Sequence, residues 1–224
     1  MENYKAELDL SNTVTVDGKV QNCGETDEFN GKHEDVHYIY MEGNVEGADV
    51  GYVFPGGADV TGLRETRTQK WTLMNTYDKF YYDDDVTNSF ITMYLEHGAN
   101  PVDASYQYII LPSKSEAETA DYSTNADVEI LANTDTVHAV REKTLGITAV
   151  NFFEAGDCPE AQVSVDKLAS VMFGTDESGC LTVSVADVTN KAEGTITVTL
   201  SFTVDRIPSG NVLLRWSIKR IALC

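Results

Sequence analysis

The sequence predicts an all-β chain, and three observations carry that prediction. Short runs rich in Val, Ile, Thr, Tyr and Phe recur from one end to the other. Turn chemistry separates them, as at Asp17-Gly18, Pro55-Gly56-Gly57 and Pro208-Ser209-Gly210. Helical periodicity is nearly absent outside one short segment. Many short strands at regular spacing, punctuated in this way, are the pattern of stacked antiparallel sheets.

The elements follow in order. Residues 4–10 alternate, and Thr13-Val14-Thr15-Val16 is β-branched up to the hairpin signal Asp17-Gly18. Residues 21–34 are polar and glycine-bearing and read as a loop. Val36-His37-Tyr38-Ile39-Tyr40-Met41 reads as a strand, and so does Val50-Gly51-Tyr52-Val53-Phe54, which Pro55-Gly56-Gly57 is expected to stop. Trp71 to Asn75 is strand-like, and a further strand spans residues 89–95.

Residues 95–112 look like the stretch around which the chain is organised. Gly98 and the Asn100-Pro101 pair demand a reversal, and Tyr106-Gln107-Tyr108-Ile109-Ile110-Leu111, closed by Pro112, reads as a largely buried strand. Next, Ser115 and Glu118 form a capping box, which predicts one short helix. Strands resume at 128–131, 136–140, 147–153, 162–165, 169–173, 181–186, 195–204 and 212–218. Turns are expected at 155–157, 176–179 and 208–210.

The composition bounds function. The 224 residues carry a formal net charge of -20, with 42% hydrophobic and 23% charged residues. Such a chain has the means to bury a core, and it lacks the composition of a disordered segment or a coiled coil. Acidic groups are spread along its length without a basic patch, which argues against nucleic acid and against an anionic membrane surface. No apolar window is long enough to cross a bilayer, and no basic-apolar leader opens the chain. Any export signal is therefore expected outside it. Cys23, Cys158, Cys180 and Cys224 are too scattered for a disulfide framework or a zinc motif; a Cys158–Cys180 bridge stays open.

Several residues invite chemical readings. Arg64, Arg67 and Lys70 form the one basic cluster of the N-terminal half, and solvated charges on a loop are a better reading than an anion groove. Trp71 reads as a core aromatic, with a sugar-stacking platform as the alternative. Asp83-Asp84-Asp85 lacks calcium-loop spacing and reads as a turn before the next strand. His33 and His37 would share one face of a helix, but their surroundings favour loop and strand, which argues against zinc.

Taken in order, certain segments resemble a known family. They are Gly51-Tyr52-Val53-Phe54-Pro55, Trp71-Thr72-Leu73-Met74-Asn75, Glu96-His97-Gly98-Ala99-Asn100-Pro101 and Tyr106-Gln107-Tyr108-Ile109-Ile110-Leu111-Pro112. Val137-His138-Ala139-Val140, Asn151-Phe152-Phe153 and Leu181-Thr182-Val183-Ser184-Val185-Ala186-Asp187 continue the order. Over roughly residues 10–190 the chain resembles the C-terminal β region of polysaccharide lyase family 8, which includes hyaluronate, chondroitin AC and xanthan lyases. The resemblance lapses from residue 212.

The resemblance implies the later part of a supersandwich-like antiparallel β domain over residues 1–113. A joint over 114–125 and a smaller C-terminal β-sandwich over 126–224 follow. It implies an extracellular enzyme that cleaves beside a uronic acid by β-elimination. In the family, an Asn, a His, a Tyr and an Arg of a helical domain do this work, helped by an acidic residue early in the β domain. None of those motifs occurs here, so no catalytic, cofactor or metal residue carries over.

His97, with Tyr106 and Tyr108 nearby in sequence, is the tempting candidate. The EHG turn, however, matches a structural turn of the family, and neither His33, His37 nor His138 has a matched partner. The expected role is therefore a non-catalytic scaffold whose partner is the helical catalytic domain, which meets the acidic polysaccharide. The alternative is a stand-alone carbohydrate-binding or surface-attachment module. The first should expose an apolar patch, and the second a shallow groove with exposed aromatics.

Overall fold

The computed structural model describes residues 13–23, 27–74, 84–175, 179–191, 194–201, 211–215 and 219–223. The strand expected at residues 4–10 and the turn expected at 208–210 lie outside them, as does most of the turn at 176–179. The chain divides into two compact units, Met1–Asn125 and Ala126–Cys224. The fold is antiparallel β with little helix.

The first unit is one sheet, ordered β2-β1-β3-β4-β5, with β6 also on β4. β1 (Val14–Val16) and β2 (Lys19–Gln21) form the expected hairpin. Asp17 and Gly18 both have positive φ, 44° and 78°, which suits the right-handed twist of a two-residue turn. The Asp17 carboxylate then accepts from the backbone N–H groups of His37 and Tyr38, tying the turn to β3 (Gly31–Met41). β3 begins within the stretch read as a loop.

β4 (Val50–Lys70) is the backbone of the unit and runs straight through the expected stop. Val36 pairs with Ala58 but Tyr38 pairs with Val53, so residues 54–57 bulge opposite His37. Gly56 and Gly57 take φ of 83° and 81°. The punctuation therefore makes a bulge rather than an end. One edge of β4 pairs with β3. The other edge pairs with β6 (Ile109–Pro112) through Val50–Val53 and with β5 (Asp85–Leu95) through Val60–Lys70. Residues 95–112 are thus not the organiser, and their two strands never pair with each other. The strand-like run at Trp71 is instead a four-residue helix, α1 (Trp71–Met74).

The basic cluster is strand rather than loop. Arg64 lies buried against Asp27, with its Nε 3.3 Å from the Asp27 carboxylate and its Nη2 donating to the Gln21 carbonyl at 2.7 Å. Arg67 falls on the opposite face, paired with Glu65 and 5.3 Å over the Phe90 ring. Lys70 reaches Asp85 at 3.9 Å. Strand alternation scatters the three charges.

The capping box forms as expected. Ser115 caps α2 (Glu116–Thr124), and the Glu118 side chain accepts from the Ser115 backbone N–H. This helix lies on the sheet: the Tyr38 hydroxyl donates to Glu116 at 3.1 Å, and Thr119 is fully buried.

The second unit is a sandwich. One sheet runs β10-β11-β14-β15, from β10 (Gly156–Cys158), β11 (Val163–Val165), β14 (Thr195–Leu200) and β15 (Asn211–Arg215). The other runs β16-β13-β12-β9-β8-β7, from β7 (Val128–Asn133), β8 (Val137–Glu142), β9 (Ile147–Phe152), β12 (Ala169–Thr175), β13 (Leu181–Ala186) and β16 (Lys219–Leu223). Inward residues of both, such as Val163, Val198, Phe152, Val171 and Val183, share one core. β10 replaces the turn expected at 155–157. Cys158 is a buried free thiol while Cys180 is in a disulfide, so the two do not bridge each other.

Candidate functional site

The features of the first unit that can meet a ligand gather where β5 ends. Beyond Leu95 the chain must turn away from β4 and return as β6. Gly98, Asn100 and Asp103 supply the left-handed conformations this needs, with φ of 73°, 54° and 54°. The returning segment is pinned by Gln107, whose Nε2 donates to the Pro55 carbonyl at the β4 bulge, 2.9 Å away.

Because Tyr106 and Tyr108 flank Gln107 in extended chain, their rings project to the same side. The rings lie at 18° to each other with centroids 6.3 Å apart. His97 sits at the near end, its ring 6.3 Å from that of Tyr106 and tilted by 34°. Between these rings and the end of β5 opens a groove of about 550 Å³. Its floor is half-buried Met41, Tyr52, Ile91, Met93 and Leu95, and its rim is Tyr94, His97, Tyr106 and Tyr108. Among the described residues, no Arg, Lys, Asp, Glu or Asn lines it.

The structure thus brings His97 and Tyr106 together, and among the described residues no guanidinium lines the groove beside them. The strand expected to be largely buried is not: Tyr106 is 63% exposed, Tyr108 47% and Ile110 49%. β6 alternates between half-buried and exposed residues, the pattern of a strand whose sheet is more covered on one face than on the other. The sequence reading missed Tyr94 and Tyr52, which belong to other strands. The alternation of β5, with Ile91, Met93 and Leu95 half-buried and Tyr94 exposed, was the available signal.

The other histidines sit apart. His33 faces the Phe29 carbonyl at 3.1 Å and stacks on the Phe29 ring. His37 lies exposed on β3, and His138 meets Phe153 edge-on at 4.9 Å in the second unit. Both His33 and His37 are on a strand with a bulge between them, so the helical spacing does not apply. Among the described residues no group of three or more His, Cys, Asp or Glu is placed to hold a metal ion. Asp83 and the Trp71 side chain lie outside the described residues, while Asp85 opens β5.

Two tyrosines of β3 are strongly perturbed, though away from the groove. Burial, reinforced by the Glu116 carboxylate, pushes the Tyr38 hydroxyl up to about 12, and burial with Asp49 does the same for Tyr40. Both stay neutral at any physiological pH and act as structural donors.

Residues 1–123 match the super-sandwich domain of polysaccharide lyase family 8, and residues 129–197 match that family's C-terminal β-sandwich domain. The chain belongs to polysaccharide lyase family 8. A xanthan lyase of Bacillus sp. (strain GL1) is 37% identical over 167 residues, 74% of this chain and 18% of the relative. A hyaluronate lyase of Thermasporomyces composti is 37% identical over 138 residues, 61% of this chain and 17% of the relative. Among solved structures, the Paenibacillus xanthan lyase superposes with a TM-score of 0.77 at 32% identity, over 85% of this chain and 18% of that one. The chain therefore spans under a fifth of the length of these relatives.

Proposed function

We propose that this chain is the non-catalytic β portion of an extracellular polysaccharide lyase and steadies a helical domain that carries out β-elimination on a uronic-acid-containing polysaccharide. The observation that carries this reading is the groove at His97. An eliminating site must neutralise the uronate carboxylate, remove the C5 proton and protonate the leaving oxygen. Here an imidazole and a phenol lie side by side, yet among the described residues no cation or side-chain amide lines the groove beside them. The disulfide at Cys180 fits an oxidising compartment.

The test is direct. The isolated chain is incubated with hyaluronan, chondroitin or xanthan while the ultraviolet absorbance of the unsaturated product is followed, and no rise is expected. A separately expressed helical portion of the same protein should bind the chain and gain thermal stability from it. Turnover by the chain alone that disappears in His97→Ala would overturn the scaffold reading.

A further inference from the structure

The groove has properties that the scaffold role does not use. Tyr106 and Tyr108 hold their rings nearly parallel, and the two residues are 63% and 47% exposed. They are not on a loose loop. The Gln107 side chain holds the segment to Pro55, and β6 begins directly after Tyr108. Two platforms are therefore presented ready-formed, which lowers the ordering cost of any ligand that stacks on them.

We propose that this groove binds an uncharged pyranose stretch of a polysaccharide, with successive sugar rings stacked on Tyr106 and Tyr108. The apolar C–H face of a pyranose matches an aromatic face. Its hydroxyls find donors and acceptors in the Tyr94 and Tyr108 phenols, the Thr92 hydroxyl and the His97 imidazole. The volume, about 550 Å³, lies in the range of ordinary ligand clefts.

Charge selects the ligand. A uronate entering the groove would lose water from its carboxylate and, among the described lining residues, meet neither Arg nor Lys in return. It would also approach a chain of net charge -20. A neutral unit pays neither penalty. This site goes beyond the scaffold role: it gives the β portion its own hold on the polymer, at units other than the uronate that is cleaved.

The experiment uses the 224-residue chain and nuclear magnetic resonance titration with three probes: mannohexaose, cellohexaose and a hyaluronan hexasaccharide. At least one neutral probe is expected to give saturable shifts centred on residues 94–108, and the anionic probe to bind more weakly than that one. Tyr106→Ala and Tyr108→Ala are each expected to weaken binding about tenfold, the loss of one stacked contact. Tyr106→Phe, which keeps the ring, should stay close to the parent. A groove that only seats another stretch of protein would give no saturable shift with any of the three sugars, and that result overturns the proposal. So does hyaluronan binding as tightly as the neutral probes, or unchanged binding in both alanine variants. No arm of the titration depends on elimination or on the helical domain, so its failure is distinct from failure of the scaffold reading.

Discussion

Thr119 of α2 rests directly on Gly51 of β4. A Cβ placed on Gly51 would come within 2.6 Å of the Thr119 Cγ2, so only glycine lets the helix lie this close to the strand. The backbone of Gly51 is ordinary strand, paired with Tyr40 and Leu111, so the constraint is steric rather than conformational. Gly51→Ala is expected to cost about 1–3 kcal/mol through overpacking. Adding Thr119→Ala should return part of that loss. Urea midpoints of the two single variants and the double variant measure it, and strict additivity would show that the contact is not the cause.

The Arg64–Asp27 pair makes a sharper prediction. The Arg64 side chain is 2% exposed, donates to the Gln21 carbonyl and lies 5.7 Å from the Phe29 ring centre. Neutralising Asp27 removes the carboxylate beside a buried guanidinium, so Asp27→Asn should destabilise the chain by about 1–3 kcal/mol. Replacing both members with apolar residues, as in Arg64→Met with Asp27→Leu, should cost much less. A double variant no more stable than Asp27→Asn would contradict this account.

These two sites also mark how far the sequence could be read. Local chemistry was legible: Asp17-Gly18 made its hairpin and Ser115 with Glu118 made its capping box, because each depends on residues only a few positions apart. Long-range pairing was not. Pro55-Gly56-Gly57 looked like a stop, but β3 holds β4 on both sides of it and turns the glycines into a bulge. Arg64 looked solvated because its partner, Asp27, lies in a distant polar stretch. For the candidate site, the His97 and Tyr106 neighbourhood stood out in the sequence. The exposure of Tyr106 and Tyr108 did not, since an apolar run does not reveal which of its faces is covered.

Cysteine chemistry separates Cys23, Cys158 and Cys180. Cys158 is 1% exposed, and burial raises its thiol above the usual range. Cys23 is exposed. Iodoacetamide applied to the native chain should therefore label Cys23 readily and Cys158 only after unfolding, because the thiolate is the reactive form. Cys180 should label only after reduction. Peptide mapping by mass spectrometry reads all three, and a recovered Cys158–Cys180 cross-link would refute the assignment.

The capping box sets a pH dependence whose sign is fixed by Glu118. The Lys114 ammonium, 2.8 Å from one carboxylate oxygen, is the main cause of its acidity, and the Ser115 backbone N–H and hydroxyl, each at 2.9 Å from the other oxygen, add to it. Together they bring the group from 4.5 down to about 2. A lowered carboxylate stabilises the fold above its unfolded value and loses that contribution as protons bind. The support that Glu118 gives α2 should thus be complete above pH 4.5 and disappear as the pH falls through about 2. A side-chain carboxylate titration by nuclear magnetic resonance should place the midpoint near 2 in the parent chain, higher in Lys114→Ala, and raised by a smaller step in Ser115→Ala. Only Ser115→Ala should also speed amide exchange at Glu118, because the Ser115 hydroxyl accepts from that N–H. A parent midpoint in the ordinary carboxylate range would mean that the lysine and the cap do not hold the carboxylate in solution.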